Sequence, residues 1–284
     1  MSRLMEHKKG LILGVANENS ISWGVAKVLA ANGAELAFTY QNDITGKYVI
    51  PLFQSVGSQF YEILDITDDE KIKAVFAKLK THFHGGLDFI VHGIAGGPSK
   101  EELADRYIET SKAGFVKSML ISVYSFTTVL REAAEMMTGR KASALTMSYY
   151  GSDKVVPHYN VMGVAKAALE SSVRYLAADL GTHGIRVNAI SPGPIKTRAA
   201  SGIGDFENLT RFAESNAPMH RGVTQEEVGR AALFLLSDLS SGVTGEILFC
   251  DAGYNIMGFA MNRILDEKQT SYFPDSENHK ETPE

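Results

Sequence analysis

The sequence has one cysteine, no long apolar run and no surplus of basic charge, and each absence narrows the classes of protein that it can encode. One cysteine, Cys250, among 284 residues excludes an intramolecular disulfide framework and is typical of a reducing compartment. No apolar run reaches the roughly 18 residues of a membrane span, and residues 1–10 lack the apolar stretch of a signal peptide. The formal net charge is -5, so we expect no nucleic-acid partner. We therefore expect a cytoplasmic protein without membrane contacts.

Short apolar segments recur along the chain and alternate with segments that have a helical apolar period. We expect the apolar segments to be strands at residues 11–14, 35–40, 60–64, 87–92, 144–147, 186–190 and 246–250. The periodic segments predict helices at residues 23–32, 69–82, 114–136, 160–180 and 226–237. Alternation of this kind predicts right-handed βαβ units. The expected fold class is a doubly wound α/β fold, with a mostly parallel seven-stranded sheet and helices on both faces.

The domain organisation is predicted to be simple. No linker-like break interrupts residues 1–262, which we expect to form one dinucleotide-binding and catalytic domain. Residues 263–284 are polar and lack periodicity, which predicts a tail. This tail is either frayed or paired with a neighbouring subunit through Tyr272 and Phe273.

A glycine-containing turn, residues 14–24, joins the first predicted strand to the first predicted helix. In a dinucleotide fold such a turn lets the backbone approach a pyrophosphate, and the amides at the helix N-terminus face the phosphates. Gly14 and Gly24 are candidates for the close approach. Ser20 is a candidate helix cap and phosphate contact. The turn departs from the G-x-G-x-x-G pattern, so an ordinary strand–helix turn remains the alternative.

The ends of the second and third predicted strands bear on cofactor choice. The second ends in Gln41, Asn42 and Asp43, which offer no cation for a 2′-phosphate, while Asp43 would repel one. This predicts NADH as cofactor. Asp65 ends the third strand, where its carboxylate either accepts from the adenine amino group or caps the following helix.

Two tyrosine–lysine pairs compete for the reacting centre, Tyr150 with Lys154 and Tyr159 with Lys166. The first pair encloses a turn-like Gly-Ser-Asp triplet, where a helix is improbable. From residue 160 onward the sequence has good helix formers, so Tyr159 and Lys166 are predicted two turns apart on one helix face. Two turns rise about 10 Å, which suits a ligand lying along the helix between a phenol and an ammonium. Helical context therefore favours the second pair.

Tyr-x6-Lys with a further tyrosine ten residues earlier, Tyr149, resembles the bacterial enoyl-acyl-carrier-protein reductases, a divergent branch of the short-chain dehydrogenase/reductase superfamily. The usual superfamily spacing is Tyr-x3-Lys, which Tyr150 and Lys154 mimic. Further similar segments lie, in order, at residues 14–17, 20–21, 38–41, 159–163, 186–191, 199–203 and 238–240. The resemblance covers roughly residues 8–258 and implies a single-domain Rossmann fold.

The resemblance implies reduction of the C2=C3 double bond of trans-2-enoyl-acyl-carrier-protein thioesters with NADH, the last step of type II fatty-acid elongation. By similarity, Tyr159 provides the donor for the enolate oxygen and Lys166 holds the nicotinamide ribose. Tyr149 lines the reacting end as a support or proton relay, or is only a packing aromatic. The alternatives are a carbonyl reductase that uses Tyr150 and Lys154, and a nucleotide-binding regulator without turnover.

The resemblance also implies the remaining site residues and no metal. Cofactor contacts are expected at Gly14, Ala16, Ser20, Ile21, Gln41, Asp65, Ile66, Lys166, Ile195 and Thr197. Substrate contacts are expected at Ala95, Met162, Ala199, Ile203 and Phe206, where residues 199–209 form a mobile substrate loop. Superfamily members are usually tetramers in which the helices near residues 114 and 160 pack across two-fold axes, so a homotetramer is expected.

Three departures from the relatives' pattern bear on the substrate. Gly96 stands near a position where relatives usually carry an aromatic residue, so the surrounding loop is expected to be looser. Arg198 replaces a usual apolar residue, and residues 204–208 lack the basic residues thought to receive the acidic carrier protein. Lys196, Arg198 and Arg211 remain as candidate carrier contacts, and acyl-CoA use stays open.

Overall fold

The computed structural model describes residues 3–197 and 206–258, and within them the seven predicted strands are all present. Their bounds are β1 Lys9–Leu13, β2 Glu35–Tyr40, β3 Phe60–Ile63, β4 Phe89–His92, β5 Ser143–Met147, β6 Arg186–Pro192 and β7 Ile247–Cys250. They form one sheet in the order β3-β2-β1-β4-β5-β6-β7, and every neighbouring pair is parallel. The predicted α/β fold class is confirmed. The predicted tail, residues 263–284, lies outside the described residues.

Helices connect the strands and cover both faces of the sheet. In chain order they are α1 Ile21–Ala31, α2 Asp43–Ser55, α3 Asp69–His82, α4 Lys100–Ala104, α5 Lys112–Met119, α6 Ser125–Met137, α7 Val161–Gly181, α8 Phe206–Asn216 and α9 Gln225–Leu236. A single π-helical turn, Leu120–Tyr124, joins α5 to α6. The five predicted helical segments all correspond to helices, and α3 has the predicted bounds.

The core lies in two apolar layers, one on each side of the sheet. Alternate side chains of a strand enter opposite layers. Leu11 and Leu13 of β1 pack with α3, α6 and α7, whereas Ile12 packs with α1, α2 and α9. Strands buried on both faces are apolar at nearly every position, which is why the sequence marks them so clearly.

Three helices were not predicted: α2, α4 and α8. Helix α2 has Gly46 and Pro51 in its interior, both of which oppose helix formation. It forms because the Asn42 side chain accepts from the Thr45 amide at its start, and Val49 and Phe53 are fully buried. The predicted substrate loop is wrong from residue 206 onward, since α8 begins at Phe206.

The run Lys112–Met137 is, by length and composition alone, long and apolar enough to cross a membrane, although no apolar run of that length was expected. Half of its most apolar window is buried in the fold. Phe126, Val129 and Ala133 of α6 pack into the core against the sheet. These contacts are those of a core helix in a globular domain.

Candidate active site

The sheet changes direction of winding between β1 and β4, and a crevice at the carboxyl ends of these strands is where α/β folds bind dinucleotides. Gly14 follows β1 with a φ of +90°, and Gly93 follows β4. A Cβ on Gly14 would lie 2.2 Å from the Gly93 carbonyl oxygen. Only glycine permits both this backbone conformation and this close approach. The site predicted around Gly14 thus lies at the switch point.

The turn before α1 presents a backbone that suits a phosphate group, but two predicted details differ. Ser20 occupies the N-cap position, yet its side chain caps no amide of α1. Its hydroxyl instead accepts from the amides of Ala16, at 2.9 Å, and Asn17, at 3.2 Å. Gly24 faces α9, where a Cβ would lie 2.6 Å from the Gln225 Cβ atom. Gly24 therefore serves helix packing, while Ile21 opens α1.

At the adenosine end, Gln41 is exposed after β2 and Asp43 is the first residue of α2. Asp65 is exposed and accepts from both the amide and the hydroxyl of Thr67. These two hydrogen bonds hold the pKa of the Asp65 carboxyl below its usual value, and the bond from the Thr67 amide has the larger effect. The cap of α3 is Asp68, not Asp65, because Asp68 accepts from the first-turn amides. Asp65 thus remains a candidate for the adenine.

Lys166 lies in α7 and is buried, with 4% of its surface exposed. Its Nζ donates to the Met147 carbonyl oxygen at the end of β5, at 2.6 Å. An ammonium has three donors, so the chemistry of this group suits further acceptors such as ribose hydroxyls. Burial lowers the pKa of Lys166 to about 8, and the nearby carboxylate of Glu170 opposes that effect.

A buried polar network lies under Lys166. His92 of β4 is fully buried between Thr146 and Ser125, with its ring nitrogens 3.2 and 2.9 Å from their hydroxyls. Burial first, and the Lys166 charge second, lower the pKa of His92 to about 3. The imidazole is therefore neutral and adds no second cation beneath the ammonium.

Tyr159 and Tyr149 lie ring to ring in an edge-on arrangement, with centroids 4.8 Å apart and planes at 66°. Tyr159 is 8% exposed and precedes the first residue of α7 by two positions, so it lies in the turn before the helix rather than on it. Burial raises the pKa of both phenols, that of Tyr149 to about 12. Both phenols are therefore protonated at neutral pH and can donate to an oxygen.

The competing pair is arranged differently. Tyr150 lies in the short helical turn Tyr150–Ser152 and packs against Tyr254, with ring centroids 5.1 Å apart. The Lys154 ammonium is exposed and pairs with Asp153 at 2.9 Å. This lysine has neither the burial nor the strand carbonyl partner of Lys166.

A small apolar cluster includes both tyrosines of the site. Its buried members are Leu103, Val156, Tyr159 and Met162, with Tyr149, Tyr150 and Leu209 against it. Leu103 on α4 was missed by sequence reasoning. Asn160, which has a φ of +42°, donates to the carbonyl oxygens of Leu103 and Asp105 and so ties α4 to the start of α7.

The remaining predicted residues surround this centre unevenly. Ile66 is buried after β3, Ala95 is exposed after β4, and Ile195 and Thr197 are half-buried after β6. Phe206 is half-buried at the start of α8. Ala199, Ile203 and Arg198 lie outside the described residues.

The loop at Gly96 was expected to be loose and is not. The Gly96 amide donates to the Ser122 hydroxyl at 3.0 Å, and that hydroxyl donates to the Gly96 carbonyl oxygen at 2.8 Å. Ser122 lies in the π-helical turn. A Cβ on Gly96 would meet only Ile121, at 3.8 Å, so this position has room for a side chain.

Comparison with known proteins gives one consistent result. A family model described as enoyl-(acyl carrier protein) reductase matches residues 14–255. The chain is 56% identical to enoyl-acyl-carrier-protein reductase (NADH) 1 of Rhizobium meliloti over 90% of its length and 93% of that protein. It is 50% identical to the NADH enoyl-acyl-carrier-protein reductase FabI of Rickettsia typhi, over 90% of this chain and 97% of that protein.

Solved structures agree. The crystal structure of the NADH enoyl-acyl-carrier-protein reductase of Aquifex aeolicus superposes with a TM-score of 0.87 at 48% identity, covering 90% of this chain and 99% of the other. The crystal structure of the Anaplasma phagocytophilum reductase in complex with NAD superposes with a TM-score of 0.86 at 48% identity, covering 92% of this chain and 96% of the other.

The buried ammonium predicts a pH-dependent stability change for Lys166→Met. Below about pH 8 Lys166 is protonated in both the folded and the unfolded chain, so folding carries the full cost of burying the cation. Between about pH 8 and 10.5 Lys166 is protonated only in the unfolded chain, so the free energy of unfolding of the parent rises with pH. The shift of the Lys166 pKa from 10.5 to about 8 corresponds to a burial cost of about 3 kcal/mol. Losing the hydrogen bond to the Met147 carbonyl oxygen offsets about 1 kcal/mol of the gain from removing that charge. We expect Lys166→Met to raise the free energy of unfolding by about 2 kcal/mol at neutral pH.

Urea unfolding at neutral pH and at about pH 9.5 measures this change, and the gain should shrink at the higher pH. Lys154→Met is the matched control, because its ammonium is exposed and its removal should leave the free energy of unfolding nearly unchanged. A gain that is equal at both pH values would show that the burial of charge is not its cause.

Proposed function

The chain belongs to the enoyl-(acyl carrier protein) reductase family, and from this we propose that Tyr159, Lys166 and Tyr149 carry out its reaction. The reaction is reduction of the C2=C3 double bond of a trans-2-enoyl thioester with NADH, in fatty-acid synthesis. The assignment rests on two buried groups at the start of α7: the protonated phenol of Tyr159, and the ammonium of Lys166, which is bonded to the carbonyl oxygen of Met147 at the end of β5.

The chemistry requires a donor for an oxygen that becomes negative. Bound NADH supplies the hydride to C3, and the thioester oxygen then carries enolate charge until C2 is protonated. Tyr159 donates a hydrogen bond to that oxygen and stabilises the enolate, because burial keeps the phenol protonated. Tyr149, edge-on against the same ring, limits the orientations of Tyr159 and lines the path of the C2 proton.

Lys166 orients the cofactor. One N–H is held by the Met147 carbonyl oxygen, and the remaining ammonium donors would hold the hydroxyls of the nicotinamide ribose when NADH is bound. The backbone around Gly14, Ala16, Ser20 and Ile21 suits the pyrophosphate, and Ile195 and Thr197, which follow β6, are further candidate cofactor contacts. Gln41 and Asp43 suit a free 2′-hydroxyl better than a phosphate, in keeping with NADH.

The acyl chain and its carrier approach from the α4 and α8 side. An apolar wall beside the tyrosines is formed by Met162, Leu103 and Leu209. Leu209 belongs to α8, whose first residue is Phe206. Arg211 and Lys196 are exposed near this opening, although Lys196 pairs with Glu207 at 3.7 Å. We propose that the acidic carrier protein docks on this side. A cytoplasmic location is also proposed, since the NADH requirement and the free thiol of Cys250 suit a reducing compartment.

The assay that tests the reaction uses two substrates. With NADH, oxidation followed at 340 nm should proceed with crotonyl-CoA, whose double bond is reducible, and not with acetoacetyl-CoA, which offers only a ketone. Reduction of acetoacetyl-CoA alone would favour the carbonyl reductase alternative. Absence of turnover with either substrate and with the enoyl carrier-protein thioester would favour a nucleotide-binding regulator.

The residue assignment predicts separable defects. Tyr159→Phe should lower kcat by about 100-fold while NADH still binds, because it removes one donor to the enolate oxygen. Lys166→Ala should weaken NADH binding about tenfold or more, because it removes charge-assisted hydrogen bonds. Stopped-flow turnover and fluorescence titration with NADH measure the two effects.

The chain supplies a control pair for these variants. Tyr150→Phe and Lys154→Ala make the same chemical changes in the competing pair, and both should leave turnover within a few-fold of the parent. A large loss in Tyr150→Phe with normal activity in Tyr159→Phe would reverse the assignment.

A homotetramer is the proposed assembly. The tetramer would cover apolar side chains that are exposed in the single chain, on α5, on the π-helical turn after it and on α7. They are Phe115, Val116, Leu120, Tyr124, Val164 and Tyr175. We expect light scattering to give four times the mass of one chain, and Val116→Arg to lower it, since burying an unpaired cation in an apolar interface is costly. Val155→Arg, at a position 99% exposed, is the control. A tetramer that tolerates Val116→Arg would contradict the proposed surface.

A further inference from the structure

A carboxylate on α7 holds the turn that carries Tyr149. The Oε1 atom of Glu170 accepts hydrogen bonds from the hydroxyls of Ser148 and Ser152, the latter at 2.6 Å. These two serines stand at either end of Tyr149–Gly151, so one carboxylate oxygen fastens both ends of that turn to the helix. A carboxylate acceptor makes such bonds about twice as strong as neutral ones.

The turn has little freedom elsewhere. The Ser148 amide donates to the Ile190 carbonyl oxygen of β6 at 2.7 Å, which anchors its start to the sheet. A Cβ on Gly163 of α7 would lie 2.6 Å from the Gly151 carbonyl oxygen, and a Cβ on Gly151 would lie 2.5 Å from the Tyr159 ring. The turn is thus in direct contact with the start of α7, and its register against that helix sets where Tyr149 meets Tyr159.

Glu170 also faces Lys166. The two residues are four apart on α7, which places them one above the other on the same helix face. His92 of β4, whose pKa is lowered by burial and further by the Lys166 charge, is held neutral, and the phenols of Tyr149 and Tyr159 elsewhere in the site are protonated. Among the described residues, Glu170 is the charged group that acts on Lys166.

We propose that Glu170 is a positioning residue for the reductase reaction: its carboxylate aligns the Tyr149 turn on α7 and provides the negative charge opposite Lys166. This inference rests on the roles proposed for Tyr149 and Lys166. It assigns one group to both halves of the site, the phenol side through hydrogen bonds and the cofactor side through charge. Neither serine nor Glu170 was singled out by the sequence.

Glu170→Gln separates the two actions. An amide oxygen still accepts from both serines, so kcat at neutral pH should stay within a few-fold of the parent. The charge is lost, so Lys166 should deprotonate at lower pH, and NADH affinity should fall at a pH about one unit below that of the parent. NADH titrations by fluorescence across about pH 6 to 10 measure this shift.

Glu170→Ala removes both actions. It should show the same shift in NADH affinity and, in addition, a kcat at neutral pH at least about tenfold lower, because the Tyr149 turn loses its anchor. Rescue of kcat by glutamine but not by alanine distinguishes alignment from charge. Asp179→Asn is the matched control: it removes a carboxylate from an exposed position of the same helix and should change neither quantity.

The outcomes are decisive in both directions. An NADH-affinity profile of Glu170→Gln that coincides with those of the parent and Asp179→Asn would overturn the charge role, and parental kcat in Glu170→Ala would overturn the alignment role. The NADH titration does not require enoyl reduction. Absence of turnover with both crotonyl-CoA and the enoyl carrier-protein thioester would therefore refute the proposed function and still leave the link between Glu170 and Lys166 measurable.

Discussion

The burial of one ammonium group, that of Lys166, is the constraint on which the site depends. Removing a lysine charge from water costs several kcal/mol unless acceptors and an opposite charge replace the lost hydration. Here the Met147 carbonyl oxygen at the end of β5 is one replacement, and the Glu170 carboxylate is the other. Both depend on the strand, the turn and α7 meeting in a single arrangement. The charge that serves the cofactor thus also demands the fold around it.

The sheet could be predicted from the sequence because its strands are buried on both faces, and such strands are short apolar runs between glycines and polar turns. Helix α3 could be predicted to the residue because its apolar period is regular and Asp68 caps it. Helix α2 could not, since Gly46 and Pro51 oppose it locally, and the Asn42 cap stabilises it only together with the burial of Val49 and Phe53. Local preference failed where tertiary packing decides.

The choice between the two tyrosine–lysine pairs could be argued from helical context, because Lys166 lies within a strongly periodic helix and Lys154 follows a turn. The position of Tyr159 was less accurate: it lies just before α7. The sequence did not predict roles for Glu170, Leu103 and Ser122. Each of them contacts a segment that is distant along the chain, and residue spacing does not encode such a contact. A carboxylate one turn after a buried lysine is the signal that was available for Glu170.

The π-helical turn at Leu120–Tyr124 also bears on how the family's sequences line up. Such a turn accommodates about one residue more than a regular α-helical turn, and it usually persists where it serves a function. Here the widened turn carries Ser122, whose hydroxyl is bonded to Gly96. Deleting one residue would restore an ordinary helix and rotate everything before it by roughly 100° relative to α6. A one-residue gap inside this helix would therefore mark a change in the loop after β4, not an alignment error.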